Sequence, residues 1–175
     1  MNIENTWLKY GLMFGGFSIL SSLIFYYVMP IGVFTEGFIS IIAMIVFMIL
    51  AVREERKNHD IDSGFPFGTA FSTAFFTGFL GTVISTLFAI ILFQLIDPSL
   101  VDVLTERTIE ATESLMAKMN VPEDQLQSTI EQIETDMAGK FSPISLLQGL
   151  FFSGLILAVI AAIIALVFKK EPRIA

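Results

Sequence analysis

The sequence predicts an all-α polytopic membrane protein with four transmembrane helices and an extramembrane helical hairpin between the third and fourth. Two observations predict this fold. Of the 175 residues, 54% are hydrophobic and only 15% are charged, whereas an ordinary soluble domain has about 25% charged residues. The apolar residues also gather into four stretches, each long enough to cross a hydrocarbon core of about 30 Å as a helix.

The four predicted spans form a single integral membrane domain over residues 1–175. The first is not expected to be a cleaved signal peptide, because its apolar run is too long and the preceding "MNIENTWLK" has no net positive charge. The spans cover about residues 7–29, 33–52, 69–96 and 145–168.

The third span is predicted to be the central packing helix. Phenylalanines recur every four residues from Phe67 to Phe79, and rows of alanine, glycine and threonine lie beside them on a helical projection. A bulky ridge next to a small groove is the surface that lets helices interdigitate.

Small residues at helical spacing recur on three of the four spans. Such residues let membrane helices approach closely, because lipid tails give no hydrophobic drive for association and van der Waals contact takes its place. The stripes predict a compact bundle, and any unused stripe could pair with a second copy of the chain or with a larger membrane protein. The predicted helix-packing residues are Gly11, Gly15, Ser18, Ala74, Gly78, Gly81, Gly149 and Ser153.

The segment between the third and fourth spans is too long and too patterned for a plain connector. Residues 98–141 show apolar residues at helical spacing in two runs, with Asn120 as the predicted end of the first helix. Each apolar stripe needs a cover, which could be the other arm, the membrane surface or a partner protein. The candidate partner-binding face comprises Leu104, Leu115, Leu126, Ile130, Ile133 and Met137.

The distribution of basic residues predicts the orientation. Seven of the ten Lys and Arg residues lie on the side that holds both termini and the loop over 53–68. The positive-inside rule therefore places both termini in the cytoplasm and the 97–144 loop outside, which is the periplasm in a Gram-negative cell.

The spans carry no ionisable residue at depth, which argues against ion-coupled transport by a monomer. The chain lacks cysteine, has one histidine and shows no nucleophile elbow, P-loop or dinucleotide fingerprint. We therefore expect no enzyme, cofactor, metal or nucleic-acid partner, and we interpret His59, Asp60 and Asp62 as solvated. The alternative function is a solute transport module or oligomeric channel, lined by hydroxyls such as Thr73 and Thr77.

Four motifs, taken in order, resemble one known family. They are the early glycine-rich "LKYGLMFGGFSIL", the "SGFPFGTAF" that follows a basic loop, the "IDP" that opens the helical hairpin with its mid-loop "VPEDQ", and a last span ending in "KKE". Together they resemble the Bacteroidetes membrane-protein family catalogued as domain of unknown function 4199.

That resemblance implies a four-span inner-membrane protein and supplies no activity or catalytic residues. Members are often encoded beside a membrane-associated glycosyltransferase, so the resemblance makes such an enzyme a candidate partner. The predicted function is that of an uncharacterised structural or accessory subunit, which packs with itself or with a larger envelope complex.

Overall fold

The computed structural model describes residues 5–28, 33–59 and 64–170. It confirms the all-α fold, and four of its helices are long and apolar enough to cross a membrane. Met29, the predicted end of the first span, lies outside the described residues. The four candidate spans are Thr6–Val28, Thr35–Asn58, Phe67–Ile96 and Pro143–Phe168.

Six α-helices make up the described chain. The first and third are each extended by one π-helical segment, Ile24–Val28 and Leu92–Ile96 respectively. The helices are α1 (Thr6–Leu23), α2 (Val33–Asn58), α3 (Phe67–Ile91), α4 (Leu100–Lys118), α5 (Glu123–Lys140) and α6 (Pro143–Phe168).

Helix α3 is the centre of the bundle, as its sequence predicts, and it packs against α1, α2 and α6. The rings of Phe67, Phe71, Phe75 and Phe79 stack in one ladder, with neighbouring centroids 5.6 to 5.9 Å apart. Beside this ladder, Ala70, Ala74 and Gly78 are buried. The small row therefore forms the groove into which neighbouring helices fit.

The bundle has two ends with different contents. The end that contains the start of α1, the end of α2, the start of α3 and the end of α6 is here named the terminal half. Its core includes Met48 and Val52 from α2, Ala74 from α3, and Leu157 and Ala161 from α6. The opposite half, which joins α4 and α5, is named the hairpin half.

Polar and backbone contacts tie the helices together at the terminal end. The Lys9 ammonium lies 2.8 and 3.0 Å from the two carboxylate oxygens of Glu54, and the Tyr10 hydroxyl donates to the same carboxylate at 2.7 Å. Phe65 and Lys170 exchange two backbone hydrogen bonds, both of 2.8 Å, in an isolated antiparallel bridge. These contacts join α1 to α2 and the start of α3 to the end of α6.

The turn between α4 and α5 ends the first arm where the sequence predicts it. Asn120 has a positive φ of 52°, a conformation that asparagine tolerates better than most residues. The Val121 N–H donates to the Met116 carbonyl and the Asn120 N–H to the Ala117 carbonyl. This pair of bonds is a Schellman motif, which satisfies the last carbonyls of α4.

The base of the hairpin is fixed to the bundle by an apolar cluster, here named the hairpin anchor. It contains Leu92, Phe93, Leu100, Leu104 and Met137, all of them buried. In addition, the ring of Phe93 lies edge-on to that of Phe141 with centroids 4.6 Å apart.

Asp97 marks the point at which α3 gives way to the hairpin. Its carboxylate accepts hydrogen bonds from the Ser99 hydroxyl at 2.5 Å and the Tyr27 hydroxyl at 2.8 Å. These hydrogen bonds, that from Ser99 first, lower the pKa of Asp97 below its usual value, because they stabilise the ionised form. The residue therefore links the start of α4 to the end of the first span.

Candidate functional site

A cavity of about 290 Å³ lies among the four spans in the hairpin half. Helices α1, α2, α3 and α6 all contribute to its wall. Six hydroxyl side chains face it, which is an unusual concentration within a hydrocarbon-spanning region, and it is here named the hydroxyl cavity. Its lining residues are Phe14, Ser18, Ser22, Ser40, Ile41, Met44, Thr82, Ser85, Ser153, Ile156 and Leu157.

The cavity exists because small side chains face one another across the bundle at this level. Ser18 on α1, Ser85 on α3 and Ser153 on α6 all contribute short side chains to one space. In the terminal half the opposite pairing holds, since Gly78 faces the side chains of Leu157 and Met48. A small side chain that faces a large one on the next helix leaves no gap, whereas two small side chains that face each other leave the space between the helices open.

The cavity hydroxyls differ in their hydrogen bonds. Thr82 donates to the Gly78 carbonyl at 2.8 Å and Ser153 to the Leu150 carbonyl at 2.8 Å, so these two oxygens offer acceptor lone pairs only. Among the described residues, no such bond to a carbonyl ties the hydroxyls of Ser18, Ser40 and Ser85, which line the same cavity. Their hydroxyls are therefore available as donors to whatever occupies the cavity.

The terminal side of the cavity is closed by close packing. A Cβ added to Gly78 would meet the Leu157 Cδ2 atom at 2.6 Å and the Met48 Sδ atom at 3.1 Å. Both Met48 and Leu157 are almost fully buried. These three residues form the floor on which the cavity ends.

The side of the cavity is open toward the bilayer. Ser40 and Ile41 on α2 are exposed, and Ile156 on α6 is 63% exposed. In the terminal half the same two helices are joined through the buried cluster that contains Met48 and Leu157. The opening therefore lies between α2 and α6, at the level of the hydrocarbon region.

Polar side chains stand one helical turn above the cavity, on the side of the hairpin. Tyr26 follows Ser22 by four residues on α1, and Glu36 precedes Ser40 by four residues on α2. The Arg107 guanidinium of α4 donates to the Tyr26 carbonyl at 3.5 Å. Tyrosines and charged groups of this kind mark the membrane–water boundary, so the cavity begins about 5 Å beneath that boundary.

Several predicted packing residues lie at helix contacts. A Cβ added to Gly11 would approach Leu80 to 2.8 Å, and one added to Gly15 would approach Ile84 to the same distance. An added Cβ on Gly81 would meet the ring of Phe14. Ala74 is fully buried in the core of the terminal half.

Three other predicted packing residues are placed differently. Ser18 and Ser153 line the hydroxyl cavity instead of filling a helix contact. Gly149 is exposed, and none of the described residues lies within 4 Å of a Cβ added to it. Gly149 therefore faces outward within the monomer.

The two threonines predicted to line a solute path lie elsewhere. Thr73 and Thr77 are buried, and the Thr77 hydroxyl donates to the Thr73 carbonyl at 2.7 Å. It also lies 3.5 Å from the Trp7 carbonyl of α1. These hydroxyls therefore belong to the contact between α1 and α3, and neither belongs to the lining of the hydroxyl cavity.

The predicted apolar face of the hairpin divides by distance from the membrane. Leu104 and Met137 are buried in the hairpin anchor, with Ile133 packed against them. Leu126 and Ile130 are half-buried, whereas Leu115 is 50% exposed. The two arms therefore cover each other at the base, and the distal part keeps an apolar surface.

Ser40 is a cavity residue that the stripe pattern does not single out. It is the one serine of α2, and a lone serine in an apolar helix has no periodicity to detect.

His59 of the inter-helix loop packs its ring edge-on against Phe65 with centroids 5.3 Å apart. Asp60 and Asp62 lie outside the described residues.

A family model described as "Protein of unknown function (DUF4199)" matches residues 9–170, nearly the whole chain. The chain belongs to this family. Comparison with curated proteins and with solved structures gives no match. The resemblance seen in the sequence motifs is thus confirmed at the level of the family, and the Bacteroidetes affiliation stays a prediction. The description of the DUF4199 family names no activity.

Proposed function

We propose that this DUF4199 protein is a non-catalytic accessory subunit of a bacterial inner-membrane complex, which engages a larger envelope protein through the distal part of its hairpin. The observation that carries the proposal is the contrast between the two ends of the hairpin. Its base is held by the buried hairpin anchor, and its distal part exposes apolar residues such as Leu115 and Met119. A rigid base with an open outer face suits a protein that presents a binding surface.

The charge of the hairpin indicates the chemistry of the partner. Residues 97–144 hold ten acidic residues and only three basic ones. A concave surface between the two arms extends outward from the base of the hairpin and is lined by Ile109 and by the carboxylates of Asp102, Glu106, Glu110 and Glu134. A partner with a basic surface would gain complementary charge and faster association.

The proposed orientation follows from the basic residues. Seven of the ten Lys and Arg residues lie in the two terminal segments and the loop over 53–68, so we propose that both termini are cytoplasmic and that the hairpin is periplasmic. The chain has no cysteine, which allows a direct test. A membrane-impermeant maleimide should label Gln127→Cys in intact cells and should label Lys57→Cys only after the membrane is opened. The reverse pattern would overturn the orientation.

The geometry favours an accessory role over the alternative of a channel. The hydroxyl cavity ends at the floor formed by Met48, Leu157 and Gly78. A solute path through the monomer would have to displace these buried residues. The bundle also gives no support to Thr73 and Thr77 as pore-lining groups, because both are enclosed by helix packing.

A site-specific crosslink tests the proposed function. A photo-crosslinking amino acid at Gln127, an exposed position of α5, should capture one defined membrane protein in living cells. The candidate that the family resemblance suggests is a membrane-associated glycosyltransferase.

Charge-reversal variants, measured with the same crosslink, show whether the partner recognises the acidic surface or only lies nearby. The double variant Glu106→Lys and Glu110→Lys should reduce capture about tenfold, because like charges then face each other. Glu55→Lys, at the opposite end of the bundle, should leave capture unchanged. Absence of any captured protein, or capture that ignores the charge reversal, would refute the accessory function.

A further inference from the structure

We infer that the hydroxyl cavity is a binding site for one diacyl phospholipid of the surrounding leaflet, whose ester carbonyl groups accept hydrogen bonds from the serine hydroxyls. This inference is independent of the proposed hairpin function. It rests on the depth of the cavity, its side opening and its lining.

The depth of the cavity below the membrane–water boundary determines which part of a lipid can contact it. Tyr26 and Glu36 mark the polar boundary, and Ser22 and Ser40 lie one turn beneath them. One turn of helix is about 5 Å, and the headgroup layer on each side of a bilayer is about 5 to 8 Å thick. The cavity therefore begins at the boundary where ester groups join the headgroup to the acyl chains.

The hydrogen-bonding capacity of the lining favours an occupant that carries hydrogen-bond acceptors over a purely hydrocarbon one. Among the described residues, Thr82 and Ser153 donate their hydroxyl hydrogens to carbonyls of their own helices, whereas no such bond ties the hydroxyls of Ser18, Ser40 and Ser85, which line the same cavity. A hydroxyl that faces hydrocarbon without a partner costs free energy. Ester carbonyls are acceptors without donors, so they match hydroxyl groups that have a hydrogen to give.

The lining carries no net charge, which also fits an ester group. The cavity wall carries hydroxyl and apolar side chains only, and an ester is polar but uncharged. The apolar part of the wall, which includes Phe14, Met44 and Leu157, would contact the first methylene groups of an acyl chain. Pockets of this kind, mostly apolar with a few placed polar groups, are typical of small-ligand sites.

The opening gives the lipid a route and a place for its chains. Ile41 and Ile156 flank the gap between α2 and α6 on the bilayer side. A lipid can therefore enter sideways from the leaflet, with its ester region in the cavity and its chains extending out between the two helices. Its headgroup then lies at the level of Tyr26 and Arg107.

Native mass spectrometry of the full chain tests the inference. Protein reconstituted in nanodiscs of defined phosphatidylethanolamine and phosphatidylglycerol, and then released into mild detergent, should retain one diacyl phospholipid per chain. A bound isoprenoid quinone, or a protein without any bound lipid, would overturn the assignment.

Paired variants on α3 locate the site. Ser85→Leu fills the cavity from its wall and should lower lipid retention about tenfold. Thr86→Leu changes the neighbouring hydroxyl, which is not part of the lining, and should retain the lipid. Equal retention by both variants would overturn the site.

A smaller substitution at the same position tests the hydroxyl group without the risk that added volume causes misfolding. Ser85→Ala adds no volume and removes one donor, and it should reduce retention about threefold while the melting temperature stays within a few degrees of the wild type. Retention equal to that of the wild type in both Ser85→Ala and a Ser18→Ala, Ser85→Ala double variant would show that the hydroxyls do not hold the lipid.

Discussion

The two halves of the same four-helix bundle are packed in different ways. In the terminal half, glycine and alanine on α3 receive large side chains, as Gly78 does from Leu157 and Met48. In the hairpin half, the serines of α1, α3 and α6 face one another around a cavity of about 290 Å³. Small residues are common to both halves, so their presence alone does not decide whether helices close together.

The size of the side chain on the facing helix decides whether two helices close together. Gly11 and Gly15 contact Leu80 and Ile84 across the α1–α3 pair, whereas Ser18, which continues the same stripe toward the hairpin, borders open space. The hairpin half is then stabilised from outside by the hairpin anchor. One half is closed by the packing of its own helices, and the other is also packed against an added pair of helices.

The largest expected effect comes from breaking the packed half. Gly78→Leu would force a branched side chain against Leu157 and Met48, and it should lower the free energy of unfolding by about 3 kcal/mol. Gly149→Leu is the matched control, because open space surrounds that glycine among the described residues. Its effect should stay within about 0.5 kcal/mol.

Denaturant titration in mixed micelles measures both glycine variants. Similar losses of stability in Gly78→Leu and Gly149→Leu would contradict the difference in packing between the two positions, since that result would mean that both are equally enclosed. It would also point to a contact at Gly149 outside the monomer.

An intermediate effect is expected from the hairpin anchor. Leu104→Ala removes a buried side chain of α4 and should cost about 2 kcal/mol, at the lower end of the range for buried leucine. Leu115→Ala changes the same residue type on the same helix at an exposed position. It should cost less than about 0.5 kcal/mol.

Hydrogen exchange followed by mass spectrometry reports where the loss of Leu104 acts. Faster exchange should appear in α4, α5 and the hairpin-side ends of the spans, while the terminal half keeps its protection. Uniform acceleration throughout the bundle would argue that the hairpin stabilises both halves equally.

The smallest expected effect is a pH dependence at the joint between α3 and α4. The pKa of Asp97 is lowered in the folded protein, first by the Ser99 hydroxyl and then by that of Tyr27. Its stabilising contribution is therefore fully present above the ordinary value of 3.8 and is lost as the pH falls through the lowered folded value.

Amide exchange at the start of α4, corrected for intrinsic rates, should therefore accelerate in the wild type as the pH falls below 3.8. Asp97→Asn should remove this dependence, and Asp124→Asn at the start of α5 should keep it. A pH profile that is the same in the wild type and in Asp97→Asn would show that another group controls this joint.

Much of the fold follows from the sequence because its determinants are local. The apolar stretches, the ladder from Phe67 to Phe79 and the stop at Asn120 each depend on residues within a few turns of one another. Helical periodicity records such relations directly. The Lys9–Glu54 ion pair depends on how α1 and α2 are rotated, which no local pattern records.

The candidate site could be predicted only in part for the same reason. The stripe that contains Ser18 and the row that contains Ser153 are visible in the sequence, and both predict close packing. That these two stripes meet each other, instead of meeting leucine or phenylalanine, is a fact of tertiary rotation. Thr73 and Thr77, the hydroxyls of the alternative solute path, lie in the α1–α3 contact for a related reason, since the helix turns them toward α1.

The backbone bridge between Phe65 and Lys170 has a consequence for the axial register of α6. The row of Ala70, Ala74 and Gly78 on α3 repeats at every turn, so a partner helix would find a similar groove if it slid by one turn of about 5 Å. Side-chain packing on so repetitive a surface discriminates weakly between such positions. Two hydrogen bonds at one fixed point do not tolerate that displacement, so the bridge selects one register from several that the groove would accept.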